Sequence, residues 1–531
     1  MEADAAIATA PAAVPQPDYA RYSHKWLIAI AVMLGTTLEV LDTSIVNVAL
    51  PHMQGSFSAS VDEIAWVLTS YLVANGVMIP MTGWISSRFG RKRYFLTSVL
   101  VFVGASALCG AARSLDQMVL FRLIQGAAGA AMIPSSQAIL METFPPDEQQ
   151  MGMAVWGVGL MVAPILGPTL GGWITDNWNW RWNFYINIPI GVIAFVMVTT
   201  FVHDPSYMRE RRARGGNVDY PGILLLAGGL GLMQVVLDRG QRADWFNSPW
   251  VVYATLASIA ALGCLIYREL TFSDPIIDIR IFKGRIFSVA VTLAIWFSFI
   301  LFGTLLLNPI FLQELMGYTA WKAGVVQAPR GLGSMFSMMV IGQLGRARVN
   351  TRPLIGVGFT LMAIALWAMS GWNLEVSMWN VLWPNAVMGL GLGLIFPTVS
   401  ALSFSGVKPE RIGFASSLYN MMRNSGAAVG IAYMTASLVA HQQIYQSHLT
   451  EHFSVFDAWR LQNAVPPMPG SPSFVIGHSQ SLGMVYGMIQ AQASMLAFND
   501  IYRTLAAATL IAIPLFLLMG GAKPAATGPA H

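Results

Sequence analysis

Two carboxylates, Glu39 and Asp42, stand three residues apart inside an apolar run, a spacing that puts both on one face of a helix. An ionised carboxylate at bilayer depth costs several kcal/mol, so such a group can take up and release a proton as water access changes. The plainer alternative is that either acid caps or pairs within a bundle. Arg122 lies in another apolar stretch beside Gln125 and Gly126. A buried arginine faces a bundle interior and pairs. Near Asp42 or Glu39 it would hold the carboxylate ionised, and moving away would let the acid bind a proton. A fixed ion pair or carbonyl clamp is the other reading. Arg330 and Arg423, the latter beside Asn420 and Asn424, could bind an anionic substrate or counter an acid.

A second group of residues acts through size. Gly157, Gly159, Gly167, Pro168, Gly171 and Gly172 crowd one run. Small residues allow close helix approach, and a proline bends the helix by removing a hydrogen bond. Ordinary packing would use the same residues. Thirty methionines and many aromatics suit a pliable cavity that accepts varied shapes. Its expected lining is Trp66, Met161, Phe311, Met335, Met338, Phe396, Tyr419 and Met422, with Asn47, Gln125, Arg330 and Arg423 supplying polarity. Each apolar member could equally serve packing or lipid contact.

The chain that must position these groups has 531 residues, 55% hydrophobic and 11% charged, with a mean hydropathy of +0.56. A soluble domain carries roughly 25% charged residues, so a soluble enzyme and a disordered chain are excluded. At about 20 residues per membrane-spanning helix, fourteen spans would use roughly half of the length. The expected class is an all-α polytopic membrane protein. A net charge of +4 would suit nucleic acid in a soluble chain. In a membrane protein, surplus Lys and Arg instead mark cytoplasmic loops, and no nucleic-acid partner is expected. Two cysteines, Cys109 and Cys264, both inside apolar runs, offer neither a disulfide framework nor a Cys-based metal site. None of the six lysines sits in the Gly-Lys-Ser/Thr setting of a nucleotide-binding loop. The energy for pumping would therefore come from an ion gradient or a partner, and no cofactor is expected.

Residues 1–25 are rich in Ala and Pro, with no Lys or Arg among the first twenty. They read as a flexible cytoplasmic tail rather than a cleavable signal. Apolar runs follow: six between 26 and 203, two near 219–237 and 249–267 within a linker of 204–285, and six between 286 and 520. A cytoplasmic tail at 521–531 closes the scheme. With the N-terminus inside, twenty of the 30 Lys and Arg fall on inside segments, seven on outside segments or edges and three within helices. That bias places both termini in the cytoplasm. An internal repeat supports two halves: Gly126, Pro134, Ala138 and Pro146 recur as Gly389, Pro397, Ala401 and Pro409, all 263 residues on. The match sets fourth helix against fourth helix in the same direction, as in the parallel halves of major-facilitator transporters.

Leu41-Asp42-Thr43-Ser44-Ile45-Val46-Asn47-Val48-Ala49-Leu50-Pro51 resembles the first-helix signature of the fourteen-helix drug:proton antiporters of the EmrB/QacA type. Arg122 to Gly126 resembles the family's fourth-helix motif, and Gly167-Pro168 with Gly171-Gly172 its antiporter motif. Trp180-Arg181-Trp182 with Phe184, Asn187-Ile188-Pro189 and Gly191 resembles its outer turn between helices five and six. The likeness extends through Leu237-Asp238-Arg239-Gly240, Asp244-Trp245-Phe246 and Pro409-Glu410-Arg411, nearly the whole chain, on the EmrB side of the family. Gly83, Gly90, Arg91 and Lys92 fill the 2–3 loop motif, but Ser87 stands where the superfamily usually has Asp. A charge relay through that Asp is not expected, while Arg91 and Lys92 could still position an inward gate.

The resemblance implies a proton-driven multidrug exporter of lipophilic small molecules in the inner membrane of a bacterium. It implies a coupling role for Arg122 and a leak-sealing role for the glycine-rich motif. It also implies a periplasmic adaptor of the membrane-fusion type and an outer-membrane channel as partners. Residues 439–500 read as a long periplasmic loop that could dock the adaptor. His441, His448 and His452 in that loop suit a polar helix face, and no metal is assigned. A carrier of one metabolite, such as a siderophore or lipid precursor, is the nearest rival. A membrane enzyme or sensor lacks the clustered acids and histidines, or the soluble signalling domain, it would need.

Overall fold

A computed structural model describes residues 24–204, 218–272, 275–347, 349–451 and 478–519. Most of the 1–25 and all of the 521–531 tail readings, with part of the 204–285 linker and His452, lie outside the described residues. The described chain is helical, with no strand among those residues. The first half is built from α1 (Lys25–Phe57), α2 (Asp62–Phe89), α3 (Arg91–Ala111), α4 (Leu115–Thr143), α5 (Gln149–Asn177) and α6 (Trp182–Phe201). An accessory pair follows, α7 (Tyr220–Arg239) and α8 (Pro249–Thr271). The second half comprises α9 (Arg285–Leu315), α10 (Ala320–Arg346), α11 (Pro353–Met369), α12 (Met378–Phe404), α13 (Ile412–Glu451) and α14 (His478–Ala512).

Among the described residues, eleven helices are long and apolar enough to cross a membrane, and α11 is apolar but shorter. With α10 and α13 alongside, the order fits fourteen spans as six, two and six. Apolar side chains such as Val192, Tyr253, Leu256 and Ile259 stay exposed on the perimeter, as lipid contact requires.

Local chemistry sets the helix ends and breaks. Ser60 Oγ accepts from the Glu63 amide at 3.2 Å while Glu63 Oε2 accepts from the Ser60 amide at 2.8 Å, a reciprocal cap that starts α2. Ser114, Thr319 and Ser377 cap α4, α10 and α12 by the first half of that device. Pro80 lies in the 3-10 turn that interrupts α2. Pro134 follows the break in α4, because a proline ring cannot donate to the carbonyl one turn back.

The repeat has a packing basis. A Cβ on Gly126 would collide with the Tyr71 carbonyl of α2, and one on Gly389 with the Arg330 carbonyl of α10. The fourth helix of each half thus presses its glycine onto the second helix of that half.

The 439–500 reading changes. Residues 439–451 extend α13, and residues 478–500 begin α14 well before the apolar run at 501. Gln442 donates to Ser494 Oγ at 3.0 Å, Gln446 to the Tyr486 hydroxyl at 2.9 Å, and Tyr445 to Asp500. Polar side chains pair these two helices where hydropathy alone suggested a loop. Residues 452–477 lie outside the described residues.

A buried charge network and an inter-half seal

Lys25, Arg91, Lys92, Arg346 and Arg411 gather at one end of the bundle, here the basic end. The closest approaches between the halves cluster toward it. A Cβ on Gly83 of α2 would lie 2.8 Å from the Gly413 carbonyl and 2.8 Å from Phe414 Cα of α13. Ser416 Oγ donates to the Pro134 carbonyl at 2.7 Å, and Asn420 Nδ2 to Gln137 Oε1 at 2.5 Å, joining α13 to α4. Gln150 Nε2 donates to Thr351 Oγ1 at 2.6 Å, and Arg346 lies 3.5 Å from Glu148. Trp156 stacks on Phe396 with centroids 5.9 Å apart, and Gly157 abuts Met338 and Phe396. Farther along α5, Leu166, Pro168 and Trp173 are exposed. The protein is closed at its basic end.

Deeper in the first half, α1, α4 and α6 meet at Asp42. Asp42 and Arg122 are both fully buried. Arg122 Nη1 donates to Asp42 Oδ2 at 2.6 Å and to Gln125 Oε1 at 2.8 Å, and its Nε donates to the Val67 carbonyl at 3.1 Å. Gln125 Nε2 and Asn187 Nδ2 donate to Asp42 Oδ1 at 2.9 and 2.6 Å. Asn187 also donates to Ser106 Oγ at 3.0 Å, tying in α3. The guanidinium carbon sits 4.2 Å from the centroid of the Tyr71 ring. Three side-chain donors and no acceptor face the carboxylate. A proton reaching Asp42 must therefore displace one of them, which loosens α4 or α6 from α1. Charge-assisted bonds of this kind are strong, and in a low-dielectric interior the members act together.

Glu39 lies one turn along the same face but keeps different company. Asn75 Nδ2 donates to its Oε1 at 3.0 Å, and Oε2 has no hydrogen-bond partner. Arg423, buried on α13 of the other half, is within electrostatic reach of it. Arg330 is buried on α10. Its Nη2 donates to Thr304 Oγ1 at 2.7 Å and to the Leu301 carbonyl at 3.3 Å.

At the basic end, Arg91 pairs with Glu142 at 2.5 Å, fixing α3 to α4 beside the α13 start. Gly90 has φ 94, a conformation open to glycine at little cost. The Lys92 amide donates to Asp204 Oδ1 at 2.7 Å and its Nζ to the Thr199 carbonyl at 2.6 Å. Ser87 Oγ donates to the Trp84 carbonyl within its own helix at 2.8 Å and carries no charge into the seal.

Several expected cavity residues sit elsewhere. Phe311, at the start of the π-turn after Pro309, is buried in the second-half core, stacked on Trp372 at 4.9 Å. Gln125 belongs to the Asp42 network, and Met338 and Phe396 to the seal. Tyr419 is buried against Ser400. Trp66, 41% exposed, lies under Arg239 of α7 in a notch of about 480 Å³ with Asp62, Arg242 and Trp250. Asn47 is exposed, and Met161, Met335 and Met422 are half-buried. Of the glycine-rich motif, Gly167, Gly171 and Gly172 approach Ser44, Ile45 and Val48 of α1, within the first half. Gly157 is the glycine that meets the other half.

Sequence reasoning missed Asn187, taken as part of an outer turn, and Asn75, Ser106, Gln137 and Glu142. Polarity inside apolar runs was the signal available for each. No group of three His, Cys, Asp or Glu able to hold a metal occurs among the described residues.

Residues 32–431 match the Major Facilitator Superfamily model. Multidrug export protein EmrB of Escherichia coli (strain K12) is 34% identical over 90% of this chain and 91% of its own. Fatty acid resistance protein FarB of Neisseria gonorrhoeae is 33% identical over 94% of this chain and 96% of its own. Among solved structures, the human organic anion transporter MFSD10 aligns with a TM-score of 0.61 at 14% identity, over 94% of this chain and 100% of that one, a likeness of fold. A multi-span helical bundle of two pseudo-symmetric halves, matched by that model over most of its length, makes this chain a member of the Major Facilitator Superfamily of membrane transporters.

Proposed function

We propose that this transporter is a proton-driven multidrug antiporter that exports lipophilic small molecules across a bacterial inner membrane. The observation that carries the reading is the Asp42–Arg122 pair, fully buried and bonded to three helices of one half. With the basic end cytoplasmic, the closed seal corresponds to an outward-open state. Protonation of Asp42 from outside frees Arg122 from its ion pair, and Arg122 keeps its Val67 carbonyl and Tyr71 ring contacts. The loosened α1–α4 contact then lets the Gln137–Asn420 seal part and the halves rock. Deprotonation on the inside restores the pair and accompanies substrate loading.

The names of the relatives, which include multidrug and fatty acid resistance proteins, support a lipophilic substrate range. A periplasmic adaptor and an outer-membrane channel complete the proposal as partners. The test uses the full chain in liposomes with an imposed pH gradient, while chemically unrelated lipophilic compounds are added. Proton movement triggered by several of them supports polyspecific antiport. Movement triggered by one compound class alone replaces it with a dedicated carrier. Silence in both the presence and absence of an adaptor rejects proton-coupled export.

A further inference from the structure

Arg330 presents a charge without its complement. Its side chain reaches from α10 to α9 and is bonded there to a hydroxyl and a carbonyl, both neutral. The residue is 7% exposed, and its Nη1 has no hydrogen-bond partner. Among the described residues, the titratable group that bears on it is Tyr502, whose hydroxyl donates to Asn308 Oδ1 at 2.7 Å. Asn308 Nδ2 in turn donates to Asn385 Oδ1 at 3.1 Å. This polar cluster therefore joins α9, α12 and α14 beside a guanidinium and holds no carboxylate.

The first half meets the same problem with Asp42. The two halves correspond at Gly126 and Gly389, which press on Tyr71 and Arg330 respectively. The same 263-residue offset carries Leu41 and Asp42 onto Thr304 and Leu305. The position matching Asp42 is thus the uncharged Leu305, with Thr304 its neighbour. A buried charge without a partner is costly, and any ligand that brings the missing charge recovers that cost on binding.

We propose that Arg330, beside Thr304, forms a site for a monovalent anion, either free chloride or the carboxylate of a bound lipophile. The anion accepts from Arg330 Nη1, the guanidinium nitrogen that has no partner, and stands in for the acid that the second half lacks; the Thr304 hydroxyl stays bonded to the Ile300 carbonyl at 2.8 Å. It neutralises α10 against α9 as Asp42 neutralises α4 against α1.

The experiment follows thermal unfolding of the purified full chain in gluconate buffer at constant ionic strength. Chloride is titrated in one arm and octanoate in another, with octanol as the uncharged control. The wild type is expected to gain roughly 2–4 °C in its unfolding midpoint from at least one anion and nothing from octanol. A gain from chloride assigns the free ion, and a gain confined to octanoate assigns the carboxylate of a lipophile. Arg330→Gln is expected to give no gain in either arm. Thr304→Asp, which supplies the carboxylate within the chain, is expected to melt higher without added anion and to ignore both probes. That variant keeps the test decisive if Arg330→Gln fails to fold. A wild type flat in both arms, or an equal gain in Thr304→Asp, overturns the site.

Discussion

The two halves share a backbone plan and differ in how they treat buried charge. In the first, Arg122 is neutralised by Asp42 and held by three further groups, the Val67 carbonyl, Gln125 and the Tyr71 ring. In the second, Arg330 donates to two neutral oxygens, the Thr304 hydroxyl and the Leu301 carbonyl, and Arg423 is within electrostatic reach of Glu39 of the other half. The glycines that set helix spacing recur at a fixed offset, whereas the acid does not. Packing is thus common to both halves, and the buried pair of an acid with an arginine stands in the first.

That contrast can be broken by mutation. Arg122→Gln strands a buried carboxylate and should destabilise the fold by about 3–5 kcal/mol. Asp42→Asn combined with it should recover most of the loss without restoring transport. Arg330→Gln removes a charge that has no acid beside it and should cost far less, or even stabilise. Equal losses at Arg122 and Arg330 in urea or thermal melts would erase the difference between the halves.

Packing should answer the other way. Gly126→Val and Gly389→Val place a Cβ 2.9 Å from Tyr71 Cα and 2.8 Å from the Arg330 carbonyl carbon. Both should lose about 1–3 kcal/mol by overpacking, and by similar amounts. A large disparity would deny that the repeat is structural. Gln137→Leu acts between the halves. It leaves Asn420 without a partner from α4 and should weaken the closed state by about 1 kcal/mol. The expected signature is greater thiol labelling of a cysteine introduced at Ser416, measured against the same cysteine in the wild-type background. Arg242→Ala, on the accessory pair outside both halves, breaks a half-exposed contact to Asp62 at 3.1 Å. It should shift melting by less than about 1 kcal/mol.

The sequence shows its spans and its buried charges because both are departures from a uniform apolar background. Asp42 and Arg122 stand out on that ground, and the repeat orders the halves. What it hides is which neighbour each face meets. Asn187 falls in the stretch that resembles the family's outer turn, yet it lies within α6 and donates its amide to Asp42. Phe311, expected among the cavity lining, stacks on Trp372 at the start of a π-turn that no local pattern announces. Residues 439–451 and 478–500 read as loop because polar residues interrupt their apolar ones, and those same Gln, Ser, Tyr and Asp side chains pair the two helices. The Gln137–Asn420 contact joins residues 283 apart, a pairing that only the closed packing of the halves creates.

The central claim is that Asp42 binds a proton in exchange for substrate. The direct measurement is proton release from purified protein in weakly buffered detergent when a lipophilic substrate is added, wild type beside Asp42→Asn at matched stability. The wild type should release protons on substrate addition and Asp42→Asn should release none while still binding the compound. Undiminished release from Asp42→Asn would place the exchangeable proton elsewhere and contradict the account.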